Sequence, residues 1–176
     1  AVSALRSAQE HAKSSSAPTG QLLITTHSEV VLSELKSDSL FIMRRSREGD
    51  AFISSVPADA FSRILKHAPR ALFARRILVC EGATELGLML GLRELFRARH
   101  ADVPIEHLGV AIVDGNGAAA PALVTALAGL GYATALFRDS DQPLKTGVLN
   151  LLQSQNVQVF EYGSSLCTEL ALFGAC

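Results

Sequence analysis

The residues of this 176-residue chain that could do chemistry stand at the ends of apolar runs. Glu81-Gly82-Ala83-Thr84-Glu85 follows the run 77–80, Asp114-Gly115-Asn116-Gly117 follows 109–113, and Arg138-Asp139-Ser140-Asp141 follows 134–137. Short continuous apolar runs of this kind are the pattern of strands buried on both faces of a parallel sheet. In open parallel sheets, ligands collect outside the carboxyl ends of the strands. Five carboxylates from three strands are therefore expected on one edge. Asp139 and Asp141 are two apart and share a side in extended chain. Gly82 allows a tight turn between Glu81 and Glu85, and Glu85 falls in the first turn of the next helix. Carboxylates crowded in this way cannot all ionise without compensation. Mg²⁺ or Mn²⁺, which prefer hard oxygen ligands, would supply it. Taken singly, each motif is ordinary, since Glu-Gly or Asp-Gly at a strand end is usually a turn. The coincidence of three strand ends is what points to a site. Gly115-Asn116-Gly117 with Ala120 also fits a dinucleotide-loop pattern loosely, but it follows the second strand of its unit rather than the first.

The elements that must hold these residues alternate regularly. Strands are expected over 77–80, 109–113, 134–137 and 157–160, with helices over 85–100, 120–129 and 144–154. Such alternation implies right-handed βαβ crossovers and a mostly parallel sheet. Upstream, the pattern predicts a helix over 1–13, a loop over 14–20 and a short buried strand over 21–26 (QLLITT). Ser28 is placed to cap a helix over 29–35. Two strands, 40–45 and 52–56, flank the turn Arg47-Glu48-Gly49-Asp50, and a helix covers 58–66. The break between the halves falls near 66–76.

Composition bounds the rest. With 48% hydrophobic and 19% charged residues, the chain can bury a sizeable core. A net charge of −1, from 16 basic and 17 acidic residues, gives no global pull toward nucleic acid. Contacts to a polyanion must then be local. Arg93, Arg97 and His100 are spaced to share one helix face, Arg138 adjoins the acidic cluster, and Arg44-Arg45-x-Arg47 forms a short basic patch. Taken singly, each of these is more often a solvated face. No apolar run approaches the roughly 18–20 residues of a membrane span, and no signal peptide is visible. The three cysteines lack C-x-x-C spacing and are expected to be reduced structural thiols of a cytoplasmic protein.

In this order, strand–Glu-Gly-x-x-Glu, strand–Asp-Gly and strand–Asp-x-Asp resemble the TOPRIM fold of topoisomerases, primases, recombination mediators and overcoming-lysogenization-defect (OLD) nucleases. The resemblance covers about 76–173. The segment 21–35 (QLLITTHSEVVLSEL) resembles the switch-histidine segment of ABC-type ATPases, with His27 at the position that senses the ATP γ-phosphate. An ABC-type ATPase end joined to a TOPRIM domain is the OLD arrangement. The fold this implies is α/β: a TOPRIM-type, mostly parallel four-stranded sheet flanked by helices, preceded by a strand/helix segment from the end of an ABC-type ATPase domain. The expected division is 1–70 for that ATPase segment and 71–176 for the nuclease domain. No Walker A pattern (G-x-x-x-x-G-K-S/T) occurs, so ATPase activity is expected only in a longer protein of which this chain is a piece.

The resemblance implies an Mg²⁺- or Mn²⁺-dependent endonuclease that cleaves DNA phosphodiesters with two ions, with coupling to ATP and a homodimer expected for the full-length protein. Glu81, Glu85, Asp114, Asp139 and Asp141 would form the catalytic and metal-binding cluster, with Glu81 also suited to acid/base work. Glu169 is a further possible ligand or simply a helix-start glutamate. Asn116 and Ser140 would position water or ligands, and Arg93, Arg97 and Arg138 would contact DNA. A topoisomerase reading lacks support, since it needs a nucleophilic tyrosine in a separate domain and only Tyr132 and Tyr162 exist here. The remaining alternative is a non-catalytic nucleic-acid-binding or assembly module with an inert acidic edge.

Overall fold

In the computed structural model, residues 2–15, 23–45, 49–163 and 166–174 are described. The centre is a four-stranded parallel sheet. Its strands are β3 (Arg76–Cys80), β4 (Val110–Asp114), β5 (Ala133–Arg138) and β6 (Gln158–Glu161), in the spatial order β4-β3-β5-β6. Cys80 lies beside Asp114 on one side and Phe137 on the other, so the carboxyl ends of the three central strands are level. The mostly parallel α/β sheet expected from the sequence is the one that forms.

The connections are helical. β3 leads through α4 (Ala83–Gly91) and α5 (Arg93–Arg99) to β4, β4 through α6 (Ala120–Gly129) to β5, and β5 through α7 (Thr146–Ser154) to β6. The first crossover moves one way along the sheet and the next two move the other way. Right-handed crossovers then put α4 and α5 on one face and α6 and α7 on the opposite face. A single helix over 85–100 does not form. It breaks at Leu92, after Gly87 and Gly91 have weakened the run. The break is shallow, because the Leu92 N–H still donates to the Leu88 carbonyl and the Phe96 N–H to that of Leu92.

Upstream lie α1 (Val2–Ser14), α2 (Glu29–Ser33), the antiparallel pair β1 (Phe41–Arg45) and β2 (Ala51–Ser55), and α3 (Ala58–His67). Ser28 caps α2 as expected, its hydroxyl accepting from the Val31 N–H at 3.4 Å. The helix closes earlier than 35, with the Leu35 N–H turning back to the Leu32 carbonyl. The strand expected over 21–26 is corrected. Gln21 and Leu22 lie outside the described residues, and 23–28 form no strand. An apolar run becomes a buried strand only where a sheet offers it a ladder and cover. Leu23 has neither and is 80% exposed. The turn residues 46–48 are outside the described residues.

One core runs through both halves. Phe61, Ile64 and Leu65 of α3, on a helical i, i+3, i+4 stripe, pack in the same cluster as Leu123, Val124 and Leu127 of α6 and Ile77, Val79 and Leu136 of the sheet. The Tyr132 hydroxyl donates to the Leu72 carbonyl at 2.7 Å, and the Arg44 guanidinium lies 4.1 Å from the Tyr132 ring centre. These contacts tie the hairpin and the turn before β3 to the start of β5. They also set α3 beside α6, next to the edge strand β4. None of the described side chains of α1 is buried.

Candidate functional site

The carboxyl edge of the sheet is knitted from four chain segments. The Glu81 N–H donates to the Phe137 carbonyl at 2.8 Å, the Gly115 N–H to Cys80 at 2.7 Å, and the Gly117 N–H to Glu81 at 2.6 Å. Ser140 exchanges bonds with Leu166, its N–H donating to the Leu166 carbonyl and its Oγ accepting from the Leu166 N–H, both at 3.0 Å. That exchange brings α8 (Thr168–Phe173) against the edge. β3 and β5 are neighbours whose following helices lie on opposite faces, the switch point at which α/β sheets bind ligands.

The two glycines of the motifs do different work. Gly82 has extended backbone, φ −139°, so the tight turn expected there is not what requires it. Gly115 is required by packing. A Cβ there would lie 2.4 Å from the Ala120 Cβ, 2.8 Å from the Cys80 oxygen and 2.9 Å from Val79 Cγ1. That close approach seats the start of α6 on β3. Asn116 takes the left-handed conformation, φ +62°, and its N–H donates to Asp114 Oδ1 at 2.9 Å.

The sequence-expected carboxylates fall into four environments. Glu81 faces Arg138, whose Nε donates to Glu81 Oε2 at 3.1 Å. Burial pushes the Glu81 carboxyl above its ordinary value, the Arg138 guanidinium offsets part of this, and Glu85 and Asp141 add repulsion. Glu85 is buried. Its Oε2 accepts from the Gly82 N–H at 3.0 Å and its Oε1 from the Thr168 hydroxyl, so it joins α4 to α8. Asp114 meets Arg63 Nη2 at 2.5 Å through Oδ2. Burial raises the Asp114 carboxyl, but the Asn116 N–H, Arg63 and the charge of His67 together hold it below the ordinary carboxylate value.

Asp139 and Asp141 form the fourth environment. Burial, a hydrogen bond to Asp141 and the charges of Asp141, Glu81 and Glu85 push the Asp139 carboxyl up to about 6. Beneath the edge, the buried Cys80 thiol is pushed up to about 12 by desolvation and by the charges of Glu85 and Asp114, which makes it an inert thiol. Glu169 is exposed in the first turn of α8. Its charge reaches the Tyr162 ring, as do those of Glu85 and Asp139.

The residues expected at DNA are dispersed. Arg138 is corrected from a DNA contact to an internal cation. Its side chain is 3% exposed, and its guanidinium donates to Glu81, to Glu161 at 2.6 Å and to the Gln142 carbonyl at 2.5 Å. Arg93 and Arg97 lie on α5, near the opposite end of the sheet. Arg93 pairs with Glu106 at 2.7 Å, and Arg97 with Glu94 and Asp102. His100 stacks on Phe96. Arg44 is engaged with Tyr132. His27 is exposed, its ring centre 5.7 Å from that of Phe73 in the turn before β3. Sequence reading missed Arg63, whose signal was the pairing of Arg63 with His67 one turn apart, just before a strand that carries a carboxylate site.

The donor set suits a hard divalent cation, since every carboxylate on the edge offers oxygen and two of them are raised by crowding and burial. The side chains are not gathered on one point. Among the described residues, no three Asp, Glu, His or Cys converge to ligate an ion as they stand. Asp114 is turned to Arg63, Glu81 to Arg138 and Glu85 to Thr168. No described helix is long and apolar enough to cross a membrane.

Neither the curated proteins nor the solved structures include a match to the chain. One family model does match, over residues 72–141, and its description is overcoming lysogenization defect protein-like, TOPRIM domain. The match ends on Asp141 and so contains all three strand-end motifs. A TOPRIM domain of this kind points to divalent-ion binding and to metal-dependent cleavage of nucleic acid. With the parallel sheet and its acidic edge in place, residues 72–141 are those of an OLD-like TOPRIM domain by the family model they match.

Proposed function

We propose that the edge formed by Glu81, Asp114, Asp139 and Asp141 binds Mg²⁺ or Mn²⁺ and supports endonucleolytic hydrolysis of DNA. The single observation that carries this reading is the convergence of Glu81 and Asp139 at the β3/β5 switch point, within the matched segment, with both carboxyls raised. Crowded carboxylates of this kind repel, and cation binding relieves them. Bound divalent ions supply an activated water and stabilise the leaving oxygen of a phosphodiester.

The chain's own groups set the stage for that chemistry. Arg138, buried and with three acceptors, fixes Glu81 at the end of β3. The raised Glu81 carboxyl holds a proton more readily than an ordinary glutamate, which suits proton transfer to a leaving oxygen. Asp139, whose carboxyl is raised to about 6, must be ionised before it ligates an ion. Glu85 holds α4 and α8 together rather than facing the edge.

Coupling to ATP, and a homodimer, rest on the resemblance of 21–35 and of the OLD arrangement. In support, His27 abuts Phe73, in the turn that feeds β3, so a change at His27 would be felt next to the strand that carries Glu81.

The test is nicking of supercoiled plasmid by the intact protein in Mg²⁺ and in Mn²⁺, with and without Asp139→Ala. Metal-dependent nicking that disappears in the variant is the expected result. Nicking that survives Asp139→Ala refutes the site. DNA binding without any cleavage by the unaltered protein would favour the non-catalytic module instead, a reading to which the internal ion pairs of Asp114 and Glu81 lend some weight.

A further inference from the structure

A nuclease edge made only of carboxylates repels its own substrate, and something must hold the phosphate. The arginines of α5 cannot do so directly. They lie on α5, which packs on the turn 105–108 that feeds β4, and they are paired with Glu94, Asp102 and Glu106. Arg138 is buried and spent.

Arg63 stands apart from these. It lies on α3, whose other face (Phe61, Ile64 and Leu65) is locked into the core, so the helix is a rigid mount. Its side chain is 47% exposed, and in the structure it donates through Nη2 to Asp114 Oδ2. His67, exposed one turn further on, also places its charge at Asp114. A guanidinium presents five N–H donors in a planar fork that matches a phosphate as well as it matches a carboxylate.

We propose that Arg63 is the phosphate-binding residue of the acidic edge. The segment upstream of the matched domain would thus supply an exposed cation beside the carboxylates, where Arg138 is buried. This rests on the reading of that edge as a nuclease site. Without nucleic acid, Arg63 neutralises Asp114. When a phosphodiester arrives, the fork turns to the phosphate and Asp114 is left to ligate the ion. Exchange of one anion for another by a half-exposed arginine costs little desolvation.

The experiment measures binding of a fluorescent duplex by the intact protein over a range of KCl, in EDTA and again in Ca²⁺. It compares the unaltered protein with Arg63→Ala, Arg63→Lys and Arg93→Ala. Mn²⁺ affinity is measured separately, without DNA. Arg63→Ala should weaken DNA binding about tenfold and lower the salt slope by about one. Arg63→Lys should restore the slope but not all of the affinity. Mn²⁺ binding should be unchanged or modestly tighter.

Unchanged DNA affinity and slope in Arg63→Ala would overturn the proposal, most clearly if Mn²⁺ affinity rose sharply, because Arg63 would then be only a plug on the metal site. Loss in Arg93→Ala but not in Arg63→Ala would overturn it too, by moving the contact to α5. The two readings fail separately. If the unaltered protein never cleaves but its binding in EDTA depends on Arg63, the nuclease reading falls and the phosphate contact stands.

Discussion

Replacing Arg138 with Met tests whether the edge is held together by one buried cation. Met keeps much of the aliphatic bulk and removes the charge. In the structure the Arg138 side chain is 3% exposed, while its partners Glu81 and Glu161 are 22% and 37% exposed. Removing one member of a fully buried pair costs about 3–5 kcal/mol, because the other charge is left without compensation. Here water reaches the glutamates, so the lower end applies, about 3 kcal/mol. For a chain of this size each kcal/mol moves Tm by about 2–4 °C, which gives a fall of about 6–12 °C near pH 7.5. The pH dependence follows from the same pairs. Arg138 lowers the Glu81 carboxyl relative to what burial alone would impose. Its stabilisation therefore needs ionised glutamates and is lost as pH falls and they protonate. The gap between Arg138→Met and the unaltered protein should narrow toward pH 4. Scanning fluorimetry from pH 4 to 8 measures it. A gap below 2 °C at pH 7.5, or one that stays constant with pH, would refute the buried-cation argument.

Other expectations follow from the same edge. Gly115→Ala should destabilise by about 2–3 kcal/mol through overpacking against Ala120, Val79 and the Cys80 carbonyl. Urea unfolding would measure this, and an unchanged midpoint would mean that the close approach is not rigid. Asp139→Asn should raise Tm at pH 7.5. The folded carboxyl titrates at about 6, above its unfolded value. Its contribution therefore favours the folded chain at low pH and is lost as pH rises through about 6. Asn mimics the protonated form, so the gain should shrink toward pH 4. An equal gain at both pH values would contradict the crowding.

The sheet was legible because its signals were local and redundant. Runs such as 77–80 are apolar on both faces, and only a doubly covered parallel strand satisfies that pattern. The helix expected over 120–129 forms as Ala120–Gly129, where an i, i+3, i+4, i+7 stripe of Ala120, Leu123, Val124 and Leu127 fixes its buried face. The carboxyl edge was legible for the same reason, since strand direction alone decides which end Glu81, Asp114 and Asp139 occupy. The partners of those carboxylates were not legible. Arg63 is 51 residues from Asp114 in sequence, and only the packing of α3 beside α6 brings them together. Arg138 read as a surface cation because its sequence neighbours are acidic, yet β5 turns it inward onto Glu81 and Glu161. The strand expected at 21–26 failed because an apolar run specifies a strand only where a neighbouring strand is present to pair with it.

Direct titration of Mn²⁺ into the intact protein, followed by calorimetry or by loss of the free-ion resonance signal, tests the claim that the strand-end carboxylates form a divalent-ion site. The account expects binding by the unaltered protein that weakens as pH falls below about 6, where Asp139 takes up its proton. It also expects that binding to be lost in Asp139→Asn/Asp141→Asn protein with an unchanged near-UV spectrum. Equal stoichiometry and affinity in that folded variant would contradict it.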